Sequence, residues 1–332
     1  MNKMQVKSPC CSASVRRYGG RRRQCTHCLK TWRMRIKKRG RPTMRASIHM
    51  AQGLLETGAT IKQRARSSGS TERSYQRRVQ RSLAQMRTQD LYDQVPPNTD
   101  LTLLIDGIWT RSEKQRAVIY LAAVKPLNES VAYLLPPQVY LGTETAPKWR
   151  QVIQSLPDDT QNHVRALVCD GITGMTSYAH KRGWVVQRCQ FHFIKSIERF
   201  KGGKNRFVPE KELRYESYLL MRQALVVPQK QESALFQKIK ERATLERCPK
   251  WIRKHAEELM RARNEFRAHL NHPELQLPRT TGCMESTCAI VRTRLRQAHG
   301  FKTINSLCRW VTGLICIKKT VTCNSYQPNN GR

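Results

Sequence analysis

Three of the chain's 24 acidic residues stand where a carboxylate has no evident structural reason to be. Asp106 interrupts the apolar run that begins Leu101-Thr102-Leu103-Leu104-Ile105, where an unpaired carboxylate is costly and strand propensity is low. Asp170 closes a second apolar run, Arg165-Ala166-Leu167-Val168-Cys169, and is followed by Gly171. Glu285 lies just inside a helix start at Arg279-Thr280-Thr281-Gly282-Cys283-Met284. Carboxylates brought together repel, divalent cations relieve the repulsion, and a metal held by two acids normally takes a third. Each acid also has a plainer reading: Asp-Gly is a turn dipeptide, and a first-turn Glu suits the helix dipole. Between the second and third acids stand Cys189 and His192, spaced C-x2-H. Their plainer reading is a buried thiol and a helix-opening histidine.

A second set of candidate ligands lies near the start. Cys25-x2-Cys28 has the spacing of a zinc knuckle, two thiolates flanking a tight turn and reaching one tetrahedral ion. Ser8-Pro9-Cys10-Cys11 resembles the matching knuckle of a zinc ribbon, with Ser8 in place of its first cysteine. Three completions remain open: Cys10 and Cys11 both ligate Zn2+, His27 replaces one of them, or the ribbon holds without metal around Tyr18 and Trp32. The twelve cysteines argue against a disulfide framework, because the start MNKMQVKSPCC lacks the apolar stretch of an export signal.

Charge divides the chain that must position these groups. The net charge is +37, and residues 1–89 hold 23 Lys and Arg against two acids, Glu56 and Glu72. So large an excess calls for a polyanion, and a phosphate backbone neutralises many cations at once. After a basic hinge, Lys37 to Pro42, the apolar positions Ile48, Ala51, Leu54 and Leu55 form a helical face that Thr57-Gly58 ends. Thr60 then caps a short helix from Ile61 to Arg66, Ser68-Gly69 turns, and Ser70 or Thr71 caps a helix to about Met86. This is a helix-turn-helix pattern, whose alternative is a three-helix bundle with a charged outside. Its last helix carries Arg73, Gln76, Arg77, Arg78 and Arg81; Arg73, Gln76 and Arg77 stand nearest its start, where Arg and Gln forks suit guanine and adenine.

Pro96-Pro97-Asn98 opens an α/β region. Strands are predicted over 101–110, 116–124 and 131–135, a helix over 145–156, a strand over 165–169, a helix over 173–181 and a strand over 184–189. In that order the strands bearing Asp106 and Asp170 are neighbours, and their carboxylates are expected to converge. Residues 206–275 read as helical, with Glu241, Glu246, Glu257, Glu258 and Glu265 mostly on solvated faces, and Trp109 reads as core. Ile304, Leu307, Cys308, Val311, Leu314 and Ile315 make an apolar helix face that serves as core or as an interface.

Taken together, Ile105-Asp106-Gly107, Val168-Cys169-Asp170-Gly171, Arg188-Cys189-Gln190-Phe191-His192 and Thr280-Thr281-x3-Glu285 resemble the Mutator-type DDE transposases of bacterial insertion sequences. The resemblance covers about residues 96–318, and the 114 residues between Asp170 and Glu285 have room for that family's all-helical insertion. It implies a ribonuclease-H-like α/β catalytic domain at 96–318 with the insertion at about 205–278. Ahead of it stand a zinc-ribbon-like module at 1–38 and a helix-turn-helix at 42–90, with a tail at 319–332. It further implies two Mg2+ or Mn2+ ions on Asp106, Asp170 and Glu285, with Cys189 and His192 supporting the site. The partners implied are double-stranded DNA, as terminal inverted repeats and target, and a homodimer or higher oligomer on it. Two departures stand out: Ser8 replaces a ribbon cysteine, and Gly282 stands where many relatives have Asn. A non-catalytic, sequence-specific DNA-binding regulator derived from such an enzyme is the rival expectation. No apolar run reaches the roughly 20 residues of a membrane span, so a soluble, cytoplasmic and nucleoid-associated protein is expected.

Overall fold

The computed structural model describes residues 8–18, 22–33, 44–201, 209–298 and 301–323. The hinge expected at 37–42 and the tail beyond Cys323 lie outside the described residues. The chain divides into two compact units, Met1–Arg45 and Ala46–Arg332.

The first unit is a three-stranded antiparallel ribbon of β1 (Val15–Arg17), β2 (Arg22–Cys25) and β3 (Thr31–Arg33). Val15 pairs with Cys25, and Gln24 with Thr31, which sets the knuckle Cys25–Cys28 at the turn between β2 and β3. Tyr18 is half exposed, so it does not form the core of this ribbon.

The second unit opens with α1 (Met44–Thr57), α2 (Ile61–Ser67), α3 (Glu72–Leu83) and α4 (Gln89–Tyr92). Next come β4 (Leu101–Ser112), β5 (Gln115–Pro126), β6 (Val131–Leu134), β7 (Gln138–Leu141), α5 (Ala146–Gln154), α6 (Asp158–His163), β8 (Val164–Cys169), α7 (Met175–Lys181), β9 (Val185–Arg188) and α8 (Gln190–Glu198). A helical stretch follows: α9 (Lys211–Ala224), α10 (Gln229–Thr244), α11 (Lys250–Arg261), α12 (Arg263–Phe266) and α13 (Ala268–Asn271). The described part ends with α14 (Gly282–Gln297), α15 (Ile304–Lys318) and β10 (Thr320–Thr322). Among the described residues there are thus fifteen α-helices and a seven-stranded mixed sheet beside the small ribbon. No described helix is long and apolar enough to cross a membrane.

The sheet runs β10-β6-β5-β4-β8-β9, with β7 also on β5. β4, β5 and β6 form an antiparallel meander, while β8 and β9 add in parallel beside β4. Two strands of this sheet are not expected from the sequence. β7 is four residues long and follows Pro136-Pro137, and β10, within the expected tail, pairs with β6 and continues the sheet.

Alternation along β4 sends Leu104 and Ile108 to one face and Leu101, Leu103 and Ile105 to the other. Trp149 of α5, fully buried on the second face, meets Tyr120 edge-on at 4.7 Å, worth about 1 kcal/mol beyond area burial. The first face is covered by α14 and α15 together with the helices at 46–92. Those N-terminal helices therefore share one core with the sheet instead of forming the separate body expected at 42–90: Ala51, Leu55, Tyr75, Val79 and Leu83 pack in the same cluster as Leu307 and Val311. The apolar face of α15 is core and is not free as an interface; Leu307, Val311 and Ile315 are essentially inaccessible. Phe193 and Ile197 of α8 join the helices over 211–266 in a third core.

Local signals explain the helix starts. Thr60 and Gln63 form a reciprocal capping box on α2, and the Thr71 hydroxyl accepts from the Ser74 N–H at 3.3 Å to start α3. α3 ends at Leu83, three residues before the expected Met86.

Candidate active site and cysteine cluster

β4 and β8 are in parallel register up to Leu104 and Val168, so Asp106 and Asp170 each lie two residues past the same pair. Asp106 is 6% exposed, and burial, reinforced by the charge of Glu285, pushes its carboxyl up to about 7. The Cys288 thiol of α14 donates to its Oδ2 at 3.5 Å. Asp170 is open to solvent, yet desolvation by the crowded strand end still raises its carboxyl. Glu285 stands in the first turn of α14, its N–H donating to Thr281 O at 2.9 Å.

The C-x2-H pair ties these elements together. Cys189 caps α8 and is buried; its sulfur lies 3.3 Å from Thr281 Oγ1 and accepts from the Thr281 N–H at 3.3 Å. One turn on, His192 Nε2 meets Glu285 Oε1 at 2.9 Å. Both residues of the pair thus grip the start of α14, one at its capping threonine and one at its acid. Hydrogen bonding to Cys189 raises the His192 imidazole to about 9 against its burial, and Asp106 and Asp170 add to the rise. Burial opposes ionisation of the Cys189 thiol, but His192 and Thr281 more than offset it and leave the thiol lowered. The positive charge this favours on His192 faces the carboxylates of Asp106, Asp170 and Glu285.

Asp106, His192 and Glu285 offer ligand atoms that all lie within 4.8 Å of one another. The Asp106 and Glu285 carboxylates with the His192 imidazole are a group compatible with a divalent cation. Asp170 stands outside this triplet, and Arg292 Nη1 approaches Glu285 Oε2 at 3.5 Å.

The glycine after each aspartate makes room for a second charged side chain. A Cβ at Gly107 would collide with the Glu144 carboxylate, and one at Gly171, where φ is +94°, with the Arg188 guanidinium. Glu144, at the start of α5, accepts from Trp149 Nε1 at 2.8 Å; burial raises its carboxyl, and the charge of Asp170 adds to the rise. It was not singled out from sequence, where only its place ahead of Trp149 could have marked it. Arg188 pairs with Glu258 at 2.6 Å and stacks over Phe266 at 4.6 Å. Glu258 was expected on a solvated helix face; instead it anchors α11 beside the Asp170 strand end. Gln187 and Gln190 reinforce this junction, both donating to Phe266 O, at 3.1 and 2.9 Å. Trp109, expected in the core, is 52% exposed because β4 runs beyond the end of β8.

On α3, Arg73, Gln76, Arg77 and Arg81 are exposed. Arg78 differs: it bonds to Ser70 Oγ and lies over the Tyr75 ring, bracing the turn between α2 and α3.

In the first unit the Cys10, Cys11, Cys25 and Cys28 thiols lie within 4.8 Å of one another, a four-sulfur set compatible with Zn2+. Cys10 and Cys28 sulfurs are 3.2 Å apart, and Cys25 reaches Cys11 at 3.9 Å. Exposed His27 is outside the group. Ser8 is buried with its hydroxyl 3.3 Å from Cys25 Sγ, and this bond is the main reason that thiol is lowered to about 6. Ser8 thus occupies the vacant knuckle position, and Cys10 supplies the fourth sulfur.

No family model matches the chain, and no curated protein matches it.

Proposed function

We propose that this chain is a DDE-type DNA transposase of Mutator type, cutting and joining DNA in a ribonuclease-H-like domain. The observation that carries the reading is the approach of Glu285, at a helix start gripped by Cys189 and His192, to Asp106, with Asp170 at the same level of the neighbouring parallel strand. The order β6-β5-β4-β8-β9, three antiparallel strands followed by two parallel ones, is that of the ribonuclease-H core and supports the fold assignment. Asp106, Asp170 and Glu285 would hold two Mg2+ or Mn2+ ions, which would supply Lewis-acid activation of the attacking oxygen and the scissile phosphate. Asp106 and Glu285 fix the donor geometry, His192 holds the Glu285 carboxylate in one orientation, and Cys189 fixes the helix that carries it. Arg188, held by Glu258, places positive charge beside Asp170, where a phosphate is drawn in. In each step an oxygen of water or of a DNA 3′-hydroxyl bonds to phosphorus while the opposite ester oxygen leaves with the electron pair. The exposed Arg73, Gln76 and Arg77 of α3 read bases at the element ends, and the N-terminal excess of Lys and Arg binds backbone. Pairing two ends on DNA calls for a homodimer or larger assembly.

The test is strand cleavage and strand transfer with Mn2+ on DNA carrying the ends of the element that encodes the chain. Wild type is expected to cut and join, and Asp106→Asn to do neither. Undiminished activity in Asp106→Asn would sink the mechanism, and end binding without cleavage by wild type would point to the non-catalytic regulator.

A further inference from the structure

Past Asp106, β4 continues without a strand partner on its β8 side among the described residues, because the β8 register ends at Leu104. Three residues on, about 10 Å along the strand, stands the exposed Trp109. Trp109 pairs with Val118 on β5, and Val118 with Tyr140 on β7, so the three side chains form one row on one sheet face. In the next row outward, exposed Arg111 pairs with exposed Arg116. Lys148 of α5 lies over the Tyr140 ring at 4.4 Å. Two acids in this region are engaged: Glu144 accepts from the Trp149 indole, and Glu113 at the hairpin tip accepts from the Ile304 N–H.

An exposed indole ring beside two exposed arginines, with Lys148 along the same row, matches what an unpaired nucleotide needs: a flat apolar face for the base and positive charge for the phosphates. We propose that Trp109 is a stacking platform for an unpaired base of the DNA strand that enters the site, with Arg111 and Arg116 taking its phosphates. The inference deepens the transposase reading by making single-stranded or locally opened DNA the substrate at this end of the sheet. Asp106 and Trp109 point to opposite faces of β4, and the free strand edge between them is where a DNA strand crosses from one to the other. A base on Trp109 and a phosphate at Asp106 then lie within one or two nucleotides.

The probe is a 20-nucleotide thymidine strand carrying 5-iodouracil, bound to the full chain in EDTA, so that neither metal nor cleavage is needed. Photocrosslinks are expected at Trp109. Trp109→Ala should lose that crosslink and weaken binding of the unmodified strand about 5- to 100-fold. Trp109→Phe should restore most of the affinity, and a 20-base-pair duplex should bind Trp109→Ala and wild type alike. Arg111→Gln with Arg116→Gln should reduce the slope of log affinity against log salt by about 1.4. Crosslinks confined to other residues, or equal losses on single strand and duplex, overturn the platform. Asp106→Asn separates the two readings: it removes cleavage if the transposase assignment holds and leaves the Trp109 crosslink in place, so either idea can fail alone.

Discussion

The two candidate metal-binding groups are built in opposite ways. The four cysteines lie within 19 residues, on a ribbon turn and the segment that folds against it. Asp106 and Glu285 are 179 residues apart and meet only because a complete sheet, an inserted set of helices and a returning helix bring them together. A local group depends on its ligand and little else holds it, since a ribbon of three short strands has scarcely any core. A distant group is held by the fold whether or not a cation is present. Loss of metal should therefore undo the first and leave the shape of the second intact.

The sharpest way to break that contrast is to remove the acids. Asp170→Asn and Glu285→Gln should each lower strand cleavage by about 1,000-fold or more, while melting temperature and end binding stay near wild type. Single-turnover cleavage on element ends, run beside thermal unfolding, checks this. A variant that lost activity only because it unfolded would place the acid centre among the ligand-dependent structures and erase the distinction.

The same contrast explains what could be read in advance. Cys25-x2-Cys28, the Thr60 and Thr71 caps, and both acid-bearing strands are short-range patterns, and each stands where its residues predict. The contacts of Glu144 with Gly107 and of Glu258 with Arg188 depend on close approaches between elements distant in sequence, which periodicity does not encode. Trp109 had the apolar flanks of a core residue; only the different lengths of β4 and β8 expose it. β10 is three residues long and owes its existence to the open edge of β6, so nothing in Thr320–Thr322 alone distinguishes it from a tail. The sequence leaves the role of Cys10 open because adjacent cysteines differ in direction, and direction is set by how Ser8 anchors the knuckle.

That last point makes a smaller test inside the first unit. Cys10→Ser should lose its one equivalent of Zn2+ by metal analysis and open the ribbon to proteolysis, because three sulfurs remain. Ser8→Cys combined with Cys10→Ser should recover metal and protection, since Ser8 already points at Cys25 from 3.3 Å. Failure of the double variant to bind zinc would mean that Ser8 cannot serve as a ligand position.

The smallest expected effect is a difference of sign with pH in the metal-free chain. Asp106 is raised to about 7 from a carboxylate's ordinary 3.8, so its contribution is present below about 4 and is lost as pH rises through 7. His192, raised from 6.5 to about 9, contributes below 6.5 and ceases to as pH rises through 9. Both make the second unit less stable between pH 6 and pH 9, Asp106 by a few kcal/mol at most. Cys25 runs the other way: lowered from 9.0 to about 6, it contributes above 9 and loses that contribution as pH falls through 6. Cys28 is lowered too, and Cys11, pushed up to about 12, stays protonated throughout the window. Hydrogen exchange in EDTA at pH 6, 7.5 and 9, corrected for intrinsic rates, should show protection rising with pH in peptides from 8–33 and falling in those from 101–169. Asp106→Asn should flatten the fall without touching the rise, because a neutral amide has no proton to lose on that interval. Protection that moved in the same direction in both sets of peptides would show that the two groups do not hold their protons in the opposite senses their surroundings dictate.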